Sequence, residues 1–341
     1  FLDKFFFRSR NLDLISQNIK DITLQTPANK IFDAINNFSE SSEIRYVGGF
    51  IRKIIKKELI DDIDLATNLK PSEVCEALKN KDIDFYETGI EHGTVTAKIN
   101  EYKYEITSLR KDLTTDGRRA EVEFSSDWKE DSLRRDFSIN SIYSDQDGNL
   151  FDPNNGKKDL EEGRINFIGD VETRIKEDYL RILRYVRFFI NYSKHKHKPE
   201  IIKIIKKNID GVYKLSNDRL LDEFKKLTKS NNFLKLFKDK ESLELIEIIF
   251  PQLKNLKIFK KLNEYAKDNF PKLDFIFVLS LMIVDGTDNS DYFIYKFNIS
   301  KKDQKRLNFI NNFYKEKVTI KNFNEKNLNK FFYFHGKQAV I

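Results

Sequence analysis

Two aspartates, Asp62 and Asp64, have a type and spacing that could do chemistry, because they alternate within the stretch LIDDIDLAT. In a β-strand, residues i and i+2 project from the same face, so the two carboxylates would lie side by side. Two carboxylates at so short a distance repel each other unless a cation lies between them. Mg²⁺ suits such a site because it prefers oxygen ligands and shares its shell with phosphates. An isolated Asp-x-Asp is also common at strand ends and helix caps, so this pattern needs support.

A third carboxylate, Glu105 in KYEITSL, is the best candidate to complete a two-metal site from a neighbouring strand. In such a site one metal lowers the pKa of an attacking hydroxyl, and the other binds a triphosphate and its leaving group. We therefore predict Asp62, Asp64 and Glu105 as catalytic residues. Asp62 and Asp64 would be the metal ligands and Mg²⁺ the cofactor.

The double glycine Gly48-Gly49 precedes the aspartates. Glycines let backbone approach a ligand closely because they lack a Cβ atom. The following FIRKIIKKEL has helical apolar spacing, and the free N–H groups at a helix start bind phosphate. Arg52 adds charge one turn into that helix. We therefore predict that Gly48, Gly49 and Arg52 hold a triphosphate beside the metal pair, although a Gly-Gly turn alone is weak evidence.

The elements that must position these residues follow from hydrophobic periodicity. EIRYVGGF predicts a strand running into a turn, LIDDIDLAT a second strand, and GTVTAKINEYKYEITSL a hairpin joined near Asn100. SINSIYSDQDGNLFDP predicts a strand, an Asp-Gly turn and a strand. The polar stretch 113–131 lacks periodicity and predicts a mobile loop, in which Trp128 would pack where the head meets the later helices.

Strand signals nearly vanish after about residue 160, and helical periodicity dominates from there. We therefore predict an α+β fold, with a head at 1–160 that carries a mixed sheet. A helical neck at 161–235 and a helical body at 236–341 would follow.

Composition limits the class of protein. Of 341 residues, 61 are Lys or Arg and 54 are Asp or Glu, a net charge of +7. The segment 191–230 holds 11 basic and five acidic residues, which indicates either a solvated surface or a phosphate-binding face. Within it, His195 and His197 lie in KHKHK, where flanking lysines repel cations, so we predict a solvated basic turn. The single cysteine, Cys75, excludes an internal disulfide and fits a reducing cytoplasm.

Membrane and processing signals are weak. No apolar run reaches the roughly 18 residues of a transmembrane helix, and no signal peptide is visible, so we expect no membrane partner. The first residue is not Met and the last residues form the apolar run FFYFHGKQAVI, so we expect a trimmed or fragmentary chain.

A series of motifs resembles the class II nucleotidyltransferases of the polymerase-β superfamily, specifically the CCA-adding tRNA nucleotidyltransferases and bacterial poly(A) polymerases. The resemblance covers about residues 44–230, and the fifth and sixth motifs are the most specific. In chain order the motifs are VGGFIR (47–52), DDIDLAT (61–67), GIEHGTV (89–95), YEITSLR (104–110), RRDFSINSIY (134–143), EDYLRILRYVRF (177–188) and DRLLDEF (218–224).

The resemblance implies that Asp62 and Asp64 are the metal-binding catalytic pair. It also implies that Arg135, Asp136 and Asn140 contact the ribose and phosphates of a nucleotide. A flexible element of the family, linked there to the switch from C to A addition, is matched by four consecutive residues, Asp116, Gly117, Arg118 and Arg119. A plain Asp-Gly turn would also explain them.

On the helix expected from about Glu177, Asp178 and Arg181 are three residues apart and would share a face. The resemblance implies that they read the incoming base, although an ordinary helix ion pair is the alternative. Arg184 and Arg187 continue that side. They would bind triphosphate or tRNA, or else pair with acidic neighbours, and both alternatives stay open.

The implied reaction is Mg²⁺-dependent transfer of CMP and AMP from CTP and ATP to the 3′ hydroxyl of tRNA, with release of pyrophosphate. The acceptor arm of the tRNA would be held through its phosphates, and no stable protein partner is expected. Rival interpretations are a poly(A) polymerase, a CC-only or A-only enzyme, and a non-catalytic RNA-binding protein. Two departures from the family pattern are Lys53, where an Asp is usual, and IIKKELI, where Leu-Leu-Gly is usual.

Overall fold

A computed structural model of the chain describes residues 2–60, 62–115 and 120–315. These residues form two compact units, one that ends at Asp178 and one that begins at Tyr179. The first unit holds the helices α1 (Leu2–Gln25), α2 (Ala28–Asn36), α3 (Gly49–Lys56), α4 (Pro71–Lys79), α5 (Trp128–Arg134), α6 (Gly156–Glu162) and α7 (Val171–Glu177). Its strands are β1 (Ile44–Val47), β2 (Ile63–Thr67), β3 (Asp84–Gly89), β4 (Thr94–Ile99), β5 (Tyr102–Ser108), β6 (Arg110–Thr115), β7 (Ala120–Phe124), β8 (Tyr143–Ser144) and β9 (Leu150–Phe151).

Seven strands of the first unit form one sheet, in the order β3-β4-β5-β2-β1-β8-β9. β2 and β5 are parallel, while the other neighbouring pairs are antiparallel, which confirms the predicted mixed sheet. The hairpin of β4 and β5 is also confirmed, and Asn100 in its turn has a φ of 54°. Asn tolerates this left-handed conformation better than most residues do.

The main core of the first unit lies on one face of the sheet, under α2, α3 and α4. Tyr46 stacks there on Phe50 with ring centroids 4.5 Å apart, and Phe32 packs against Tyr46 with tilted rings at 4.8 Å. Full burial of each such side chain stabilises the fold by about 1.5–3 kcal/mol. Alternate strand residues point to the opposite face, where a smaller cluster contains Val47, Ala66, Leu109, Trp128 and Tyr143.

The prediction of a loop at 113–131 is wrong. β6 and β7 pair as a separate two-stranded ribbon, and α5 begins at Trp128. Backbone hydrogen bonds hold such a ribbon, and apolar periodicity does not report them. The start of α5 did have a signal, since the Asp127 side chain accepts a hydrogen bond from the Lys129 N–H at 2.7 Å and so caps the helix. Trp128 itself packs against Tyr143 in the smaller cluster of the head.

Two predicted strands are shorter than expected. β2 begins at Ile63, so Asp62 precedes the strand in which it was predicted to lie. The stretch at 138–140 is a 3₁₀ helix, and the strands around the Asp-Gly turn each have two residues.

The second unit is helical, and none of its described residues lies in a strand. Phe224 and Phe250 pack in its core with tilted rings whose centroids are 4.6 Å apart. No helix among the described residues is both long and apolar enough to cross a membrane. The helices are α8 (Leu180–Tyr192), α9 (Pro199–Asn208), α10 (Asn217–Thr228), α11 (Lys240–Ile249), α12 (Glu264–Asn269), α13 (Phe275–Ile283), α14 (Asn289–Lys296) and α15 (Lys301–Lys315).

The prediction of a solvated basic turn at KHKHK holds for His195, which is exposed, but is wrong for His197. The His197 ring stacks on Phe189 with 3.5 Å between centroids, and its Nε2 lies 2.9 Å from Asp239 Oδ1. Tyr185 contacts the other ring nitrogen at 3.0 Å. Because Asp239 is 42 residues away in the chain, local sequence did not reveal this burial.

Candidate active site

Asp64 and Glu105 lie beside each other on the sheet face opposite the main core. They are directly paired in the parallel register of β2 and β5, and each alternates with core residues of its strand. Burial raises the pKa of the Asp64 carboxyl, and the nearby charge of Glu105 raises it further, whereas Arg135 lowers it. Asp62 is exposed just before β2 and close enough for its charge to raise the Asp64 pKa as well.

These carboxylates have the donor chemistry that Mg²⁺ requires, since all their ligand atoms are hard oxygens. Within the described residues, no group of three or more His, Cys, Asp or Glu side chains is arranged to hold a metal ion. Mg²⁺ is, however, usually bound by only one or two carboxylates, with water and substrate phosphates in its other positions. A pair formed by Asp62 and Asp64 therefore fits this ion.

The double glycine brings the start of α3 next to the carboxylates. Gly48 caps α3 with φ 65° and ψ −118°, a conformation that side-chain-bearing residues rarely adopt, and its N–H donates to Ile142 O at 3.2 Å. A Cβ atom on Gly49 would stand 3.5 Å from Asp64 Oδ2. A Cβ atom on Gly48 would stand 3.6 Å from Arg135 Nη1. The turn thus lies between an acidic and a basic side chain.

A chain of hydrogen bonds links three of the predicted nucleotide-binding residues. Arg52, on α3, donates from Nη1 to the Asn140 side-chain oxygen. The Asn140 amide in turn donates to Asp136 Oδ1 at 2.9 Å. Asp136 and Arg52 are both largely buried. The structure therefore brings Arg52, Asn140 and Asp136 together at the side of the glycine turn.

Arg135 is held by two residues that sequence reasoning missed, Asp131 and Tyr143. Its Nη2 donates to Asp131 Oδ2 at 3.1 Å, and its Nε donates to the Tyr143 hydroxyl at 2.9 Å. The Tyr143 hydroxyl donates to Asp131 Oδ2 at 2.7 Å. Burial raises the pKa of Tyr143, so the hydroxyl stays protonated at neutral pH and can donate.

Asp131 stays ionised although it is fully buried. Burial alone would raise the pKa of its carboxyl, but the charges of Arg135 and Arg134 and the hydrogen bond from Tyr143 lower it to about 2. Asp131 is four residues before Arg135, so a helical ion pair was a signal available in the sequence.

Arg174, also missed, ties α7 to the segment that carries Arg135. It donates to Arg135 O at 2.9 Å, to Ile168 O at 2.8 Å and to Glu177 Oε2 at 2.7 Å. Its partners are mainly backbone carbonyls distant in sequence, which no local pattern announces. Asp178 follows directly after α7 and closes the first unit.

The prediction that Asp178 and Arg181 lie on one helix is wrong. Asp178 is extended, with φ −152° and ψ 104°, between the end of α7 and the start of α8. Asp is a poor interior helix residue because its side chain offers the backbone alternative hydrogen bonds. Arg181 lies on α8 in the second unit, where it is 8% exposed.

Arg184 and Arg187 both pair with a buried carboxylate of α10. Glu223 bonds directly to Arg187, and its Oε2 lies 3.7 Å from Arg184 Nε. This confirms the alternative in which acidic neighbours take up these arginines, while nucleotide binding by Arg184 stays a prediction. Asp116, Gly117, Arg118 and Arg119, predicted as a flexible element, lie outside the described residues.

Lys53, the departure from the family pattern, lies near the carboxylates. Burial lowers the pKa of its ammonium, whereas the charges of Asp62 and Asp64 raise it. Lys53 thus adds positive charge beside the predicted metal ligands.

Comparison with known proteins identifies relatives of the chain. The family "Poly A polymerase head domain" matches residues 44–166. The mitochondrial CCA tRNA nucleotidyltransferase 1 of Homo sapiens is 39% identical over 237 residues, which cover 68% of this chain and 55% of the human protein. The CCA-adding enzyme of Staphylococcus haemolyticus is 32% identical over 305 residues, which cover 88% of this chain and 71% of that enzyme. The chain spans about half the length of the mitochondrial relatives it matches.

Solved structures show the same fold. The CCA-adding enzyme of Bacillus stearothermophilus in complex with CTP superposes with a TM-score of 0.71 at 23% identity, covering 92% of this chain and 76% of that one. The Thermotoga maritima CCA-adding enzyme complexed with tRNA gives a TM-score of 0.64 at 18% identity, covering 95% and 79%. The predicted α+β fold is thereby confirmed.

Proposed function

The chain belongs to the class II family of CCA-adding nucleotidyltransferases, and we propose on that basis that it adds CMP and AMP to the 3′ end of tRNA. One observation carries the proposal. Asp64 and Glu105 are paired on the sheet face opposite the main core, and a glycine turn lies between Asp64 and the guanidinium of Arg135. A metal-dependent transfer from a triphosphate needs this arrangement of acidic and basic groups side by side.

One set of residues in the head would bind the metal, and another set would bind the triphosphate. Asp62 and Asp64 would hold Mg²⁺, and a metal bound there would supply a lower pKa for the attacking 3′ hydroxyl and a binding site for the departing pyrophosphate. Glu105 would be the third catalytic carboxylate beside this pair. Arg135 and the N–H groups at the start of α3 would bind the triphosphate, because both present positive charge next to the carboxylates.

The bonded set of Arg52, Asn140 and Asp136 would position the ribose and phosphates. Its members already hold one another in the structure, so little side-chain freedom would be lost when a nucleotide binds.

Choice of base would come from Asp178 and Arg181. Cytosine and adenine both present an exocyclic amino donor beside a ring-nitrogen acceptor, which an Asp acceptor and an Arg donor match. Uracil and guanine present the reverse order at the equivalent edge and would leave buried charges unpaired. Two side chains would thus replace a nucleic-acid template. Arg184, on α8 of the second unit, stays a predicted nucleotide-binding residue.

The tRNA would be held through phosphates by the basic helical part, which we predict to divide into a neck at 161–235 and a body at 236–341.

The cellular compartment would be a reducing one such as the cytoplasm, because the chain has the single cysteine Cys75. The mitochondrial relatives make that organelle the alternative compartment.

The proposal is tested by extending three tRNA transcripts at single-nucleotide resolution, ending before CCA, after C and after CC. Each is incubated with Mg²⁺ and CTP, ATP or both. We expect each transcript to be completed to CCA and no further. An Asp62→Ala/Asp64→Ala double variant should be inactive, while Glu101→Ala, which changes an exposed carboxylate in the turn between β4 and β5, should match wild type.

Other products would replace the proposal. Long tails made with ATP alone would show a poly(A) polymerase. Products that stop at CC, or extension of only the transcript ending in CC, would show a partial-addition enzyme. Binding of tRNA without any extension would favour an RNA-binding protein.

A further inference from the structure

Among the described side chains of the first unit, Asp131 is the most completely enclosed carboxylate, with a side-chain exposure of 0%. Its Oδ1 accepts from Arg134 Nε at 2.7 Å, and its Oδ2 accepts from Tyr143 and Arg135. The Arg110 backbone N–H lies 3.4 Å from Oδ1. A buried carboxylate needs such partners, because an unpaired charge away from water is strongly unfavourable.

The arrangement around Arg135 goes beyond charge compensation. Asp131 and Tyr143 bind the Nε and Nη2 edge of the guanidinium, and the guanidinium carbon lies 5.0 Å from the centre of the Tyr143 ring. Nη1 takes no part in these bonds. Nη1 is instead the atom that a Cβ on Gly48 would meet at 3.6 Å, so it faces the glycine turn.

A guanidinium fixed on one edge can present the other edge to a ligand without losing further freedom. A long arginine side chain otherwise loses rotamer entropy when it binds, and the loss weakens affinity. Arg135 is already restrained, since only 17% of its side chain is exposed and its inner edge is fully engaged. Folding thus already restricts the rotamers of Arg135, so nucleotide binding would cause little further loss of side-chain entropy.

We propose that Asp131 and Tyr143 are positioning residues, which hold Arg135 so that its Nη1 meets the triphosphate of the incoming nucleotide at the Gly48-Gly49 turn. This inference rests on the proposed function, because it assumes that the turn binds a nucleotide. A purely structural role would instead confine the effect of these residues to folding stability.

The most informative variant is Tyr143→Phe. It removes the hydroxyl that bonds to both Arg135 and Asp131 but keeps the ring that packs in the smaller cluster of the head. Tyr104→Phe is the matched control, because Tyr104 is equally buried in the same sheet but belongs to the core on the other face. Asp131→Asn is a second variant of nearly the same shape.

Equilibrium dialysis with labelled CTP and the kinetics of CMP addition to a tRNA transcript give the readouts. We expect Tyr143→Phe to raise the Kd and KM for CTP by roughly three- to tenfold, with kcat within about twofold, because the lost bond acts on binding through Arg135. Asp131→Asn should raise the Kd for CTP by more than tenfold. Tyr104→Phe should leave the Kd unchanged.

A double-variant cycle separates positioning from a general effect. In an Arg135→Ala background, Tyr143→Phe should change the Kd for CTP by less than about twofold, since its partner is gone. Full additivity there, or an unchanged Kd in Tyr143→Phe alone, would overturn the inference. If wild type does not bind CTP, the proposed function fails. If wild type binds CTP and the variants bind it equally well, the positioning role alone fails.

Discussion

Each unit of the molecule buries a carboxylate between two arginines, and the two carboxylates are used differently. In the head, Asp131 shares Arg135 with a tyrosine hydroxyl and leaves one nitrogen of that guanidinium facing the glycine turn. In the second unit, Glu223 of α10 bonds to Arg187 and lies 3.7 Å from Arg184, and both arginines belong to α8. Glu223 therefore ties two helices together, whereas Asp131 orients a cation.

The surroundings of the arginines differ as well. Arg187 lies with its guanidinium carbon 4.2 Å from the centre of the Phe188 ring and is 14% exposed, so packing and Glu223 both hold it. Arg184 is 37% exposed and 3.7 Å from Glu223, too far for a direct hydrogen bond. A buried carboxylate–arginine pair thus joins two helices in the second unit, whereas in the head it orients Arg135 for the proposed binding of a nucleotide.

The largest expected effect comes from removing either carboxylate. Asp131→Ala and Glu223→Ala should each destabilise the chain by roughly 3–5 kcal/mol, because each leaves buried arginine charge uncompensated. Urea unfolding can assign the loss to a unit, since Trp128 is the only tryptophan and lies in the head. Asp131→Ala should shift the transition seen by tryptophan fluorescence more than Glu223→Ala does. An equal shift in both variants would break the comparison.

Acid should destabilise the head by a smaller amount, through Asp131. The pKa of Asp131 is about 2 in the folded head, against an ordinary value of 3.8. A depressed folded pKa contributes stability that is complete above about pH 4 and is lost as the pH falls towards 2, here about 2 kcal/mol. Fluorescence-monitored unfolding of wild type should weaken over that range. Asp131→Asn should lack this part of the slope, and a slope equal to that of wild type would contradict the lowered pKa of Asp131.

The glycine turn beside Arg135 offers a contrast of about 1–2 kcal/mol. Gly48→Ala should lose that much stability because its φ of 65° is strained for a residue with a Cβ. Gly49→Ala should be nearly neutral for stability, since the added Cβ would make only ordinary van der Waals contacts of 3.5 Å or more. Its methyl would stand 3.5 Å from Asp64 Oδ2, so CMP addition should fall. Thermal unfolding and extension kinetics test both halves; a stable and active Gly48→Ala would refute the first.

The smallest effect should come from an exposed ion pair of the second unit. Lys206 Nζ and Glu244 Oε1 are 2.7 Å apart, but the side chains are 40% and 44% exposed. Lys206→Ala should therefore cost less than about 1 kcal/mol, and the difference should shrink in high salt. A cost as large as that of Glu223→Ala would mean that burial is not what distinguishes these pairs.

Local periodicity was enough to predict the elements around the carboxylates. The alternation of strand residues predicted the strand that carries Asp64, and Glu105 was expected on a neighbouring strand, where the structure pairs it with Asp64. The helical spacing after Gly49 predicted α3. The grouping of Arg135, Asp136 and Asn140 came from motif resemblance and not from spacing. Asp62 fell outside its predicted strand, because periodicity does not fix where a strand begins.

Contacts between distant residues could not be predicted in the same way. Tyr143 reaches Arg135 across the segment at 138–140, and Arg174 bonds to a carbonyl 39 residues earlier. His197 is buried by partners on other helices, although its neighbours are all lysines. Such contacts depend on tertiary packing, which overrides what the composition of a short segment suggests.

The central claim is that nucleotidyl transfer occurs at the sheet face of Asp64, while Arg135 and its neighbours bind the nucleotide. Single-turnover CMP addition and equilibrium CTP binding, measured together on Asp64→Asn and wild type, test this claim most directly. We predict transfer at least about 10³-fold slower, with the Kd for CTP changed less than about tenfold. Transfer within tenfold of wild type in Asp64→Asn would place the chemistry elsewhere and contradict the account.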